Sequence, residues 1–376
     1  MRTLTIALLL AGLALETQAQ APPRIVRRGP GGPDGAGVTK DWPKLTARAA
    51  NDAAMAAGAD AYLKSLAERE LFGGTVLVAR GGEPLFVRSY GLADREARVA
   101  NTDGTRYNIG SITKVMTKAA LLLLRDEGKV DLAKTVRTYL PDYPSKVADQ
   151  VTLQQLLDHR SGMGDIFGPE FDAKRDGLKT LRDYLELFAR EPLAFAPGAD
   201  QRYSNAGYIV LGLVIERASG ESYFDFVRDR VLVPAKMTDS GWPLKTDATW
   251  SRATGYTTRT PEPGPPGPRR AAAAFLPGRG SSAGGSYSTA VDLLRFTRAL
   301  PTLLWPASWR ELMRIPPTAP ATARPAIVWG GGAPGVNASV QLEGPWEVIV
   351  LANTDPPAAE EVGRNLGVLL GFPRED

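Results

Sequence analysis

The sequence predicts an α+β fold in which strands from both ends of the folded region share one sheet and a helical lobe is inserted between them. Three observations carry this. Two β-like runs, 75–79 and 84–90, follow an alanine-rich helical stretch at 45–70. Apolar helical patterns then dominate from Ser111 to about Leu300. Two more β-like runs, 337–342 and 346–352, return before a last helix at 358–370.

In chain order, Met1-Arg2-Thr3 and the mostly apolar run 4–15 have the charged-then-hydrophobic layout of a secretory signal, with small residues following at Ala19 and Ala21. The apolar run falls short of the roughly 20 residues that cross a bilayer. Removal after Ala19 is therefore expected, leaving no integral membrane segment in the mature chain and placing it in the periplasm or medium. A lipid anchor is excluded because there is no cysteine to carry it. Residues 20–43, including Gly29-Pro30-Gly31-Gly32-Pro33-Asp34-Gly35, read as a flexible lead-in to one domain over 44–376. Its α/β lobe is expected at about 44–110 and 283–376, and its helical lobe at about 111–282.

Gly81-Gly82 between the first two strand-like runs predicts a hairpin. The helical patterns 111–127 and 206–219 end at Gly128 and Gly220, as helices that close on a left-handed residue do. Further helices are expected at 178–190, 223–231 and 290–299, and the proline-rich segment 261–268 must be a loop.

Composition prunes the chemistry. The 376 residues include 43% hydrophobic ones, enough for a sizeable core, and the net charge of +4 comes from scattered arginines with no run suited to a nucleic-acid backbone. Zero cysteines remove thiol nucleophiles, disulfides and thiolate metal sites, and a single histidine, His159, cannot build a multi-histidine zinc site. No metal or other cofactor is expected.

Three patterns carry chemistry. In Ser111-Ile112-Thr113-Lys114 the spacing puts hydroxyl and ammonium on one face of a helix start, where a neighbour can take the serine's proton. The same four residues also read as a helix-capping serine and a surface lysine. Tyr203-Ser204-Asn205 precedes an apolar helix. A phenol near a lysine can have its pKa lowered and serve as second base or relay, and Asn205 can bond a substrate amide or Lys114. The bland reading is a packed tyrosine and a cap. Trp329-Gly330-Gly331-Gly332-Ala333-Pro334-Gly335 lets backbone approach a ligand and offers a strand N–H for an oxyanion, or is a glycine-rich turn.

Together and in this order these residues resemble the serine β-lactamase and penicillin-binding protein superfamily, most of all class C β-lactamases, D-Ala-D-Ala carboxypeptidases and related carboxylesterases. The resemblance runs from about Phe72 to Pro357 and includes Phe72-Gly73-Gly74-Thr75-Val76-Leu77-Val78-Ala79-Arg80, Leu156-Leu157-Asp158-His159-Arg160-Ser161-Gly162-Met163, Ala283-Gly284-Gly285-Ser286-Tyr287-Ser288-Thr289 and Val350-Leu351-Ala352-Asn353-Thr354-Asp355-Pro356-Pro357. It implies a central antiparallel sheet flanked by helices, with the site between sheet and helical lobe. It also implies Ser111 as nucleophile, Lys114 and Tyr203 as bases, Asn205 as a substrate and lysine contact, and the N–H groups of Ser111 and Gly332 as oxyanion hole. Trp329 and Gly331 would line the substrate side. The implied substrate is a small ester or peptide-like molecule.

The sequence departs from the pattern twice. Trp329 stands where the superfamily usually has lysine or histidine, which removes a cation that would meet a substrate carboxylate. Neutral esters are therefore expected over β-lactams and D-alanyl peptides. The segment 315–327 is short and lacks the usual Tyr-Gly-x-Gly-Phe strand, which leaves one sheet edge undefined and admits a binding protein that has kept the fold without the chemistry. Two decoys are set aside. Gly280-Ser281-Ser282-Ala283-Gly284 looks like a hydrolase elbow, but no histidine follows Ser282. His159 reads as a buried, hydrogen-bonded structural residue.

Overall fold

The structure is a computed structural model and describes residues 42–260 and 265–372. The expected secretory signal, most of the lead-in and the first half of the proline-rich segment, residues 261–264, lie outside the described residues.

The chain enters through helix α1 (Asp52–Glu68), which starts later than its alanine-rich composition suggests. Asn51 is the reason: its backbone is extended and its side chain accepts from Ala54 N, capping the helix there. Strands β1 (Gly74–Arg80) and β2 (Glu83–Tyr90) form the expected hairpin, and Gly81 and Gly82 both have positive φ, as a tight turn matched to strand twist requires.

Helix α2 (Thr113–Asp126) and helix α3 (Asn205–Ser219) form the centre of the helical lobe. Every residue of α3 from Asn205 to Ile215 is buried, so this helix is core on all sides. It closes on Gly220 at φ 78°, as the sequence predicts. Two helical expectations are corrected. Only Leu181–Leu185 of the stretch 178–190 is α-helical, opened by a Thr180/Asp183 capping box. The stretch 223–231 is α-helical over Tyr223–Val227 and then widens into a π turn over Arg228–Leu232.

After helix α4 (Ala290–Leu303) the chain returns to strands β3 (Ala326–Ala333), β4 (Val336–Glu343) and β5 (Trp346–Ala352), then helix α5 (Ala358–Leu370). One five-stranded sheet results, ordered β2-β1-β5-β4-β3 with antiparallel neighbours, so both ends of the chain meet where β1 pairs β5. The edge that the sequence leaves undefined is a full strand: β3 pairs along its length with β4, Trp329 opposite Val340 and Gly332 opposite Asn337.

Alternation along the strands feeds two cores. Val76, Val78, Val348 and Val350 pack under α1 and α5. Leu77, Ala79, Ile349, Leu351 and Val340 face the other way, with Ile112, Met116, Leu293 and Phe296, toward α2, α4 and the helical lobe. Among the described residues no helix is long and apolar enough to cross a membrane.

Candidate active site

Ser111 lies two residues before α2, in a 3₁₀ turn over Gly110–Ile112. A side-chain network fixes that turn. Thr113 Oγ1 donates to Gly110 O at 2.7 Å and lies 2.7 Å from Ser286 Oγ, and Ile109 N donates to Ser286 O at 2.9 Å. The turn that carries the serine is therefore tied to the segment 283–286.

Lys114 is 6% exposed and reaches three oxygens. Its Nζ lies 3.3 Å from Ser111 Oγ and 2.7 Å from Asn205 Oδ1, and it donates to Ala283 O. The rings of Tyr203 and Tyr208 close the pocket around it, 4.7 and 5.5 Å from Nζ to their centroids. Burial disfavours the charged form and pushes the lysine down to about 7, opposed by the nearby carboxylate of Asp165.

Tyr203 Oη donates to Ser111 Oγ at 2.6 Å. Burial pushes this phenol well above its ordinary value, outweighing the hydrogen bond to Ser111. That corrects the expectation that the neighbouring lysine would lower it: desolvation is the largest influence on the phenol, and Lys114 is not among the groups that lower it. At neutral pH Tyr203 is a donor.

His159 holds this tyrosine. Its ring stacks on Tyr203 at 4.5 Å between centroids, its Nδ1 accepts from Ser204 N at 3.1 Å, and its carbonyl accepts from Arg202 N at 3.0 Å. It is buried and sits at φ 57°, a structural role as the sequence suggests. Ser204 caps α3 through Gly207 N, which delivers Asn205 into the pocket at the helix start. Asn205 Oδ1 accepts from Lys114, while its Nδ2 donates to Asp165 Oδ1 at 2.8 Å.

On the opposite side, β3 runs against the serine turn. A Cβ on Gly331 would lie 2.0 Å from Ile109 O and 3.0 Å from Ser111 N, and a Cβ on Gly110 2.8 Å from Gly332 N. Only glycines allow this approach, which brings the 331–332 backbone beside Ser111. Trp329 does not join the group. It lies on the same face as Gly331 but one step back along the strand, 7% exposed, with its ring 6.1 Å from that of Phe296 in the core. Ser282 is fully buried, and its hydroxyl donates to Tyr208 O.

Ser111, Lys114, Tyr203, Asn205, Gly331 and Gly332 are thus brought together, and Trp329 is packed behind them. Sequence reading missed two partners, Asp165 and the carbonyl of Ala283. Ala283 lies in a stretch already singled out, whereas Asp165 has no local pattern.

Fold and site together define the class, a β-lactamase and penicillin-binding-protein type of chain. The chain belongs to the Beta-lactamase family, a family of serine hydrolases, whose description matches residues 51–371. It is 38% identical over 213 residues to Esterase EstB of Burkholderia gladioli, covering 52% of this chain and 54% of that protein. It is 33% identical over 181 residues to Penicillin-binding protein 4* of Bacillus subtilis (strain 168), covering 47% and 39%. The chain therefore spans about half the length, or less, of these curated relatives. Among solved structures, a penicillin binding protein from Bacillus halodurans superposes with a TM-score of 0.68 at 28% identity, covering 80% of this chain and 97% of that one.

Proposed function

We propose that the chain is an exported serine hydrolase that forms an acyl-enzyme on Ser111 and prefers short, neutral carboxylic esters. The carrying observation is that Ser111 Oγ is flanked by Lys114 Nζ at 3.3 Å and Tyr203 Oη at 2.6 Å. With Lys114 held at about 7, its neutral amine accepts the Ser111 proton as Oγ attacks the ester carbon. The N–H groups of Ser111 and Gly332 meet the oxyanion. The C–O bond to the alcohol breaks, and the alkoxide takes a proton from the Lys114 ammonium, directly or through the Tyr203 hydroxyl. Water then repeats the sequence on the acyl-serine, releasing the acid and restoring Ser111.

The ester preference is supported by position 329, which brings no cation to the strand, and by the similarity to an esterase. A charge-assisted hydrogen bond to a substrate carboxylate is worth about 1.5–3 kcal/mol, or roughly 10- to 150-fold in rate where fully expressed. The similarity to a penicillin-binding protein favours a second reading, action on β-lactams or D-alanyl peptides. Export is supported by the charged-then-apolar residues 1–15.

A fluorophosphonate probe should add one adduct by intact mass, lost in Ser111→Ala, and kcat/KM for p-nitrophenyl butyrate should exceed that for nitrocefin. Labelling that survives Ser111→Ala removes the nucleophile assignment, and a preference for nitrocefin selects the second reading.

A further inference from the structure

The loop beside the site carries a charge that the catalytic trio does not use. Two hydrogen bonds pin it: Ser204 Oγ donates to Gly164 O at 2.8 Å, and Asn205 Nδ2 donates to Asp165 Oδ1 at 2.8 Å. Asp165 Oδ1 also accepts from Ile166 N at 2.7 Å, while Oδ2 has no hydrogen-bond partner among the described residues and the side chain is exposed. The carboxylate is thus fixed in place, open to solvent, and joined to the nucleophile by three contacts: Asp165 to Asn205, Asn205 to Lys114, Lys114 to Ser111. Among the described residues, its charge bears on both Lys114 and Tyr203. Once Lys114 is neutral, the Asp165 carboxylate remains as a negative charge beside the pair.

We propose that Asp165 sets the charge preference of the substrate, so that esters whose acyl chain carries a fixed positive charge react faster than neutral ones of the same shape, and neutral ones faster than negative ones. The assignment rests on the Ser111 acyl-enzyme reading and refines its substrate class: neutral esters lead substrates that carry a carboxylate, and cationic esters in turn lead neutral ones. Opposite charges about 7 Å apart in a half-solvated site attract enough to change binding about 5- to 10-fold, like charges repel by as much, and salt weakens both.

Three p-nitrophenyl esters of similar size test it: 4-(trimethylammonio)butanoate, 5,5-dimethylhexanoate and 4-sulfobutanoate. Their kcat/KM values are measured at pH 8 in low and high salt for the wild type, Asp165→Asn and Asp165→Glu. In the wild type the cationic ester should lead the anionic one by at least about 10-fold, less in high salt. The ratio should fall to within about 3-fold in Asp165→Asn and persist in Asp165→Glu. A wild-type ratio near one, or a ratio unmoved by Asp165→Asn, overturns the inference, whatever the variant's total activity.

Binding separates this from the underlying reading. The p-nitroanilides of the same three acids are titrated calorimetrically into Ser111→Ala, with and without Asp165→Asn. The order cationic, neutral, anionic that collapses on loss of Asp165 supports the inference even if no ester is turned over. Equal affinities overturn it. Absence of Ser111-dependent turnover overturns only the acyl-enzyme reading.

Discussion

The pH dependence of ester cleavage tests the base directly. Lys114 is 6% exposed, and burial holds it at about 7. Against an ordinary lysine near 10.4, that displacement corresponds to ~5 kcal/mol favouring the neutral amine. The sign follows from the direction: a lowered lysine is neutral above about 7 and gains its proton as pH falls through that value. The neutral fraction is then about one tenth at pH 6, half at pH 7 and nine tenths at pH 8. Accordingly kcat/KM for p-nitrophenyl butyrate should rise about 10-fold per unit below pH 6 and level off above pH 8. Tyr203 is pushed the other way, so the plateau should continue to at least pH 9. The groups around Lys114 are Ser111, Asn205, the rings of Tyr203 and Tyr208 and the carboxylate of Asp165, with His159 behind Tyr203. Repeating the profile in His159→Gln separates the histidine from the lysine. Asp165 opposes the burial effect on Lys114, so Asp165→Asn should move the midpoint to lower pH. A midpoint above pH 9, or a limb that disappears with His159 and not with Lys114, refutes the assignment of the base.

Two further outcomes are expected. Lys114→Ala and Tyr203→Phe should each lower kcat by roughly 10² to 10⁴, and the double variant by less than the product because both serve one proton relay; full additivity in steady-state kinetics would argue for independent roles. Gly331→Ala forces a methyl to within 2.0 Å of Ile109 O, a backbone atom, so kcat should fall at least about 100-fold and the thermal midpoint should drop by an amount equivalent to about 1–3 kcal/mol; unchanged kcat and melting would refute the close approach of β3 to the serine turn.

What could be read before the structure depended on how local each interaction is. The Gly81-Gly82 hairpin, the helix stop at Gly220 and the strands after Pro334 follow from patterns within a few residues of each other. The Ser111–Lys114 contact is also local. It survives even though Ser111 sits in a 3₁₀ turn, because residues three apart share a face in 3₁₀ and α-helix alike. Trp329 shows the limit. Alternation puts it on the same face as Gly331, but its depth is set by Phe296 from a distant helix, and it ends in the core. Asp165 was illegible for the same reason: the two hydrogen bonds that place its loop come from residues 204 and 205, some 40 positions away.

Tertiary burial also decides which way each proton moves. Lysine and phenol are both desolvated in one pocket, and desolvation always favours the uncharged form. For lysine that form is an amine with a lone pair; for tyrosine it is a hydroxyl with a proton. The hydrogen inventory then closes. Lys114 Nζ lies within reach of Asn205 Oδ1, Ala283 O and, at 3.3 Å, Ser111 Oγ, so the neutral amine can give its two protons to the first two and turn its lone pair to the Ser111 hydroxyl, while Tyr203 gives its proton to Ser111 Oγ. One cause thus pushes the two groups apart into an acceptor and a donor on either side of the nucleophile, which is the division of labour that acid and base catalysis at neutral pH requires.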